Sequence, residues 1–304
     1  MANVFTNLAA DVYKAADIVG RELVGVVTSG TINSGSERAA LGDTVRSSFT
    51  RTPTVGTITP AMTIPEGTDQ TVDNKTLVLD QTASVKIPYT GEDVKHLNNG
   101  IGYETVYGDQ IAQAFRAIAN QIENYQWALV RAGASRAYGT AGTTPFGSNF
   151  NEVAELRQIL VDNGAPMADG QSSLILNTLA GTKLRNLAQL QKVNESGSSS
   201  MLRQGELLNL QGLSLKESQA PVAVAKGTGA SYLTNSAALV VGTTVIPADT
   251  GTGTVLAGDV VTFAADTVNK YVVATALSGG SFTIAGPGLR VAIPDNNAIT
   301  VGNL

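Results

Sequence analysis

Between residues 103 and 133, apolar side chains return every three or four positions: Ile111, Phe115, Ile118, Ile122, Tyr125 and Leu129. That spacing is one face of an α-helix. Asp109, Gln113, Arg116, Asn120 and Glu123 fall on the remaining faces. At 1.5 Å per residue such a helix runs about 45 Å. A rod of that length is long for a globular domain of this size.

The flanking segments carry their own signals. Residues 3–28 place Val4, Leu8, Val12, Ala15, Val19, Leu23 and Val26 at helical spacing, which predicts one amphipathic helix or two short ones. Residues 29–42 read as a flexible connection. Residues 43–90 read as β: a strand over 43–51, an extended stretch over 58–64 between Pro53, Pro60 and Pro65, and strands over 75–80 and 83–90. A long hairpin of this kind is marginal alone and needs a surface to lie against.

After the long helix comes a Gly/Thr/Pro loop, Gly139 to Gly147. Asn149 or Asn151 is placed to cap a helix over 152–162 whose apolar face is Val153, Leu156 and Leu160, with Ile159 beside it. Asn163-Gly164 stops it. Residues 173–177 predict a buried strand, and Thr178 is placed to cap a helix through Leu184, Leu187 and Leu190. Residues 205–218 read as strand, turn and strand, and 225–232 as a linker. Beyond about residue 233, Val, Thr, Ala and Gly dominate and helical periodicity ends. Strands are expected over 238–246, 260–264, 270–276, 282–285 and 298–301. Close Gly-rich turns between them predict a small β-barrel or sandwich.

Composition narrows the chemistry. The 304 residues include no cysteine and one histidine, His96. Disulfides, thiolate nucleophiles, Fe–S clusters, Cys-based zinc sites and HExxH pairs are thereby excluded. A Ser-His-Asp triad would have to use His96. The net charge is −5, which argues against a dedicated nucleic-acid reader. No apolar run approaches the ~20 residues of a membrane helix. The start, Met1 to Asn7, has no basic n-region, so no signal peptide is expected. Charged residues are 15% of the chain, against about 25% in typical soluble proteins. Such a chain suits a surface covered by copies of itself.

The candidate functional residues each have a plainer reading. His96, beside Glu92 and Asp93, has the makings of a general base, but with no nucleophile motif nearby it reads as a polar turn residue. Lys226 to Ser231 and Gly251 to Gly258 are glycine-rich but lack the terminal Gly-Lys-Ser/Thr of a phosphate loop, so they read as β-turns. The acid pairs Glu92/Asp93, Glu104/Asp109 and Glu152/Glu155 resemble glycosidase carboxylates only in composition. Phe115, Tyr125 and Trp127 read as packing residues ahead of a base-stacking platform. Arg46, Arg51, Arg116, Arg131, Arg136, Arg157, Arg185 and Arg203 are scattered; they leave room only for weak, non-specific contact with phosphates. No catalytic, cofactor-binding or metal-binding residue is assigned, and no enzymatic activity is expected.

The order of these segments resembles the HK97-type major capsid fold and, more narrowly, the P22-type coat proteins of tailed phages. Gly42-Asp43-Thr44-Val45 before Pro53, Pro60 and Pro65 resembles the start of that family's E-loop. Thr76 to Asp93 resembles its return strand and the entry to its spine helix. Gln113 to Trp127, with Ala119-Asn120-Gln121-Ile122-Glu123 at its centre, resembles the spine helix. Asp162 to Met167 with Ser173 to Asn177, and then Gly212 to Pro221, resemble the strands around the A-domain.

The resemblance implies an α+β architecture. Residues 1–42 would be an N-terminal arm and 43–90 an E-loop-like extended β hairpin. Residues 91–172 would be a P-domain with the spine helix and 173–232 an A-domain, with 233–304 an inserted or appended β module. It implies a virion protein assembled in the host cytoplasm. Through pentamers and hexamers it would build an icosahedral head shell around double-stranded DNA, contacted non-specifically. The implied partners are copies of itself, a portal, a scaffolding protein and possible decoration proteins, with no membrane and no cofactor. P22-like coats are not generally cross-linked, so none is expected at Asn74 or Lys75. The alternatives are an encapsulin-like cargo shell, or a tail-tube or decoration protein.

Overall fold

The computed structural model describes residues 25–30, 40–50, 53, 55, 72–87, 103–165, 167, 172–192 and 209–302. The chain divides into two compact units, residues 31–86 and residues 1–30 with 87–304. The expected N-terminal helix before Gly25 and the Pro-bounded stretch over 58–64 lie outside the described residues.

The smaller unit is an antiparallel ribbon. β1 (Thr44–Thr50) pairs with β2 (Val72–Val78) in register from Thr44↔Val78 to Thr50↔Val72. The base is tied by Gly42 N donating to Leu79 O at 2.7 Å and Leu79 N to Asp43 O at 2.9 Å. β2 starts three residues before the strand expected at Lys75. The strand expected over 83–90 is not formed at 83–87, and 88–90 lie outside the described residues. A third strand needs a partner edge, and among the described residues β1 and β2 pair only with each other.

The larger unit is built along the expected long helix, α1 (Tyr103–Gly133), about 46 Å of rod. A one-turn 3-10 helix, Val27–Ser29, lies against it, where the sequence predicts a loop from residue 29. After α1 come β3 (Arg136–Ala137) and α2 (Asn151–Asp162). Neither asparagine caps α2: Phe150 holds the cap position, and the Asn149 side chain accepts from Asn151 N at 3.1 Å. Gly164, at φ +77°, ends the helix as expected, with Ala165 N returning to Leu160 O at 2.9 Å.

β4 (Ser173–Leu176) runs parallel to β5 (Ser214–Glu217), with Ser173↔Ser214 through Leu176↔Glu217 in register. Between them lie α3 (Thr178–Arg185) and α4 (Ala188–Gln191). The cap of α3 is Asn177, one residue before the predicted Thr178, and its Oδ1 accepts from Ala180 N at 2.7 Å. Phe146, Val153, Leu176, Ala180, Leu184, Leu187 and Leu213 form one core between these elements.

The C-terminal strands are β6 (Tyr232–Thr234), β7 (Ala238–Leu239), β8 (Val245–Asp249), β9 (Val260–Phe263), β10 (Asp266–Ser278), β11 (Ser281–Ile284), β12 (Ile293–Pro294) and β13 (Ala298–Gly302). Six of them join edge to edge in the order β11-β8-β6-β13-β9-β10, and β10 pairs back to β11. Every pairing is antiparallel, and the ring is closed. Closure removes the open edges that a six-stranded sheet would otherwise carry. The interior holds Tyr232, Ile246, Val261, Phe263, Tyr271, Val273, Phe282, Ile284 and Ile299.

The expected strand 238–246 is two strands, β7 and the start of β8, separated by a turn at Gly242 (φ +88°). The expected linker 225–232 is part of the barrel. Ala230 and Thr252 exchange backbone hydrogen bonds at 3.0 Å, and Gly229 N reaches Thr254 O at 2.8 Å. The glycine-rich stretches are thus an irregular antiparallel strap as well as turns. A Cβ at Gly227 would stand 2.2 Å from Thr254 O, so only glycine permits this approach.

The barrel is joined to the helical part through main chain. β3 adds to the edge of β10, Lys270↔Ala137 and Tyr271↔Arg136, and the Lys270 ammonium donates to Gly139 O. Truncating Phe263, which is 1% exposed, to alanine should cost about 3–5 kcal/mol in urea unfolding. Leu77→Ala on the exposed ribbon should stay within about 0.5 kcal/mol of the parent.

Candidate functional site

The acid candidates that are described lie on separate elements, α1 and α2. Glu92, Asp93 and His96 lie outside the described residues. Glu104 and Asp109 lie on α1, and Asp109 is exposed. Glu152 holds Phe146 N at 3.3 Å, a structural contact that steadies a buried phenylalanine at φ +63°. Among the described residues no three His, Asp or Glu side chains are grouped to hold a metal ion. At 100° per residue, Tyr125 and Trp127 point about 280° and 120° around α1 from Phe115. The three rings therefore do not share a face; each is half-buried.

The arginines serve as staples. Arg136 donates to Asn269 Oδ1 at 2.9 Å and to Asp162 Oδ2 at 3.0 Å, tying barrel, helix exit and α2 together. Arg290 donates to Asp162 O at 2.9 Å and Asn163 Oδ1 at 3.1 Å. Arg185 grips Glu217 with two bonds of 2.6 and 2.7 Å. Arg157 donates to Gln211 O at 2.6 Å, and Arg131 to Ala257 O at 3.4 Å. Arg46 and Arg116 lie on β1 and α1, Arg116 bonding Gln113 Oε1 at 2.9 Å; Arg51 and Arg203 lie outside the described residues.

Among the buried polar groups, two constellations that were not anticipated stand at the joins of the fold. Inside the barrel the Tyr271 hydroxyl donates to Asp266 Oδ2 at 2.6 Å and accepts from Arg290 N at 2.9 Å. Burial, with the Asp266 carboxylate beside it, pushes the phenol up to about 12. It therefore stays a neutral donor at any ordinary pH.

The second constellation is Glu123, expected on a polar face of α1 but only 2% exposed. Its Oε1 accepts from Gly25 N at 2.9 Å, Val26 N at 2.7 Å and the Ser218 hydroxyl at 2.6 Å; Oε2 accepts from Val27 N at 2.9 Å. Burial raises the pKa of this carboxyl, but the Ser218 hydroxyl and the three amides together bring it below the ordinary 4.5. The donors are almost all backbone, so no side-chain motif announces them. The one hint is Gly25: an added Cβ would meet Glu217 O and Ser218 Cβ at 3.1 Å.

What remains open to a partner is apolar surface. On the ribbon, Val72, Leu77 and Val78 are exposed. On α1 the predicted stripe is covered at Ile111 but exposed at Ile122, Leu129 and neighbouring Val130. On the barrel, Val240, Val241, Val245, Val268 and Val291 are exposed. No helix among the described residues is long and apolar enough to cross a membrane.

No protein-family model matches the sequence. No curated protein matches it. Among solved structures, a chain described as Mycobacterium phage Che8 is similar at 18% identity and a TM-score of 0.48. The likeness covers 86% of this chain and 80% of that one.

Glu123 should make the fold acid-sensitive. Its carboxyl titrates lower folded than unfolded, so its contribution is complete above about 4.5 and is lost as pH falls through the folded value. Replacing it, Glu123→Gln should cost about 1.5–3 kcal/mol at neutral pH. The same substitution should flatten the acid limb of the stability curve measured by urea unfolding from pH 7 to 3.

Proposed function

We propose that this chain is the major capsid protein of a tailed phage, an α+β subunit of HK97-like architecture without enzymatic activity. In this reading the ribbon of β1 and β2 is the E-loop and α1 is the spine helix of the P-domain. The β4–β5 region is the A-domain, and the barrel is the β module. Copies of the chain associate as pentamers and hexamers into an icosahedral shell around double-stranded DNA, with portal, scaffolding and decoration proteins as further partners.

The observation that carries the reading is the ribbon. Its two strands pair over their full length, yet Val72, Leu77 and Val78 stand 60%, 63% and 50% exposed. A two-stranded ribbon has no interior, and isolated hairpins are marginal in water. Val72 and Val78 share one face of the strand and Leu77 the other, so both faces of so small an element carry large exposed aliphatics, which suits a ribbon covered by neighbouring copies. Repetition over a closed shell then multiplies a modest contact. The long helix speaks against a tail-tube or decoration protein, which are largely β. An encapsulin-like shell would share the fold and differ in enclosing a protein cargo in place of DNA.

Leu77→Asp tests the role of the ribbon. A charge placed in a buried contact costs several kcal/mol, and each copy in a shell would carry it. The variant should keep the parent's circular dichroism but lose at least about tenfold of the rapidly sedimenting particles. Undiminished particle yield would remove the ribbon from the assembly contact.

A further inference from the structure

Glu123 joins three stretches that are far apart in sequence: α1 itself, Gly25 to Val27, and the exit of β5 at Ser218. One carboxylate takes four donors, and three of them converge on Oε1. No cation pairs with it among the described residues. On the β5 side, Lys216 donates instead to Thr28 O at 2.9 Å, and Glu217 is held by Arg185. On α1 the neighbouring Asn120 accepts from Gln219, and β4 contributes Ile175 against Gly25. Residues 25–30 carry no titratable side chain. Among the described residues the charge is therefore met by hydrogen bonds, and three of these come from consecutive backbone amides.

We propose that Glu123 is a latch: its ionised carboxylate fixes residues 25–27 against α1 and couples them to β5 through Ser218. The coupling follows from shared acceptance. Gly25, Val26 and Ser218 use the same oxygen, so a change at Ser218 alters how that oxygen is held for amides it does not touch. An amide at position 123 offers one oxygen and turns an NH2 toward N–H donors, so it cannot satisfy the set. Release of the latch frees residues 25–27 while leaving the barrel, with its own closed hydrogen-bond ring, intact.

Amide hydrogen exchange on the full-length chain tests this. Glu123→Gln should speed exchange at Gly25, Val26 and Val27 by at least about tenfold, with Val261 and Tyr271 in the barrel unchanged. Ser218→Ala, which removes none of those amides' direct partners, should speed the same three by about three- to tenfold. Wild-type exchange at residues 25–27 in Ser218→Ala, with the barrel protected, overturns the coupling. Wild-type exchange there in Glu123→Gln overturns the latch itself. If Glu123→Gln also loses barrel protection, the local latch is refuted as an independently opening unit, and Ser218→Ala alone decides the coupling.

Discussion

A buried carboxylate, paired with no cation among the described residues, ties the long helix to residues 25–27 and to the exit of β5. Glu123 lies about two-thirds of the way along a 31-residue helix, and its donors include residues 98 and 95 positions away. Burial of a lone charge is expensive unless every lone pair is met. Here the cost is met by three successive amides and a hydroxyl. That requirement fits the local sequence: glycine at 25, where a Cβ would crowd Glu217 O and Ser218 Cβ at 3.1 Å, and serine at 218, because the site needs a compact donor. The parallel pair β4–β5 and the helix are thereby set against each other.

The barrel and the ribbon are stabilised differently. The barrel closes its own hydrogen-bond ring and fills its interior with large aliphatic and aromatic side chains. It is also sewn to the helical part by β3, Arg136, Lys270 and Arg290. The ribbon has neither a closed ring nor an interior. The barrel buries its large side chains, whereas the ribbon leaves Val72, Leu77 and Val78 exposed.

The long helix was legible because its periodicity persists over many turns, and so were most barrel strands, where Val and Thr runs alternate with glycine turns. Barrel closure was not legible, since β13 on β9 and β6 on β8 are long-range choices among equivalent strands. Glu123 was read as a solvent-facing residue because its partners are backbone groups that every residue possesses. The stretch 225–232 was read as a linker because glycine marks both flexible chain and close backbone approach, and here the approach at Gly227 decides. The cap of α3 was misplaced by one residue because Asn177 and Thr178 are both competent acceptors. His96 and the Glu92/Asp93 pair lie outside the described residues, so the fold adds nothing to their reading.

The shell reading rests on what many copies do together, and electron microscopy of the expressed full-length chain, alone and with a scaffolding protein, addresses it directly. The account predicts closed or aberrant shells of uniform wall thickness. Monodisperse monomers or small discrete oligomers under every condition would contradict it.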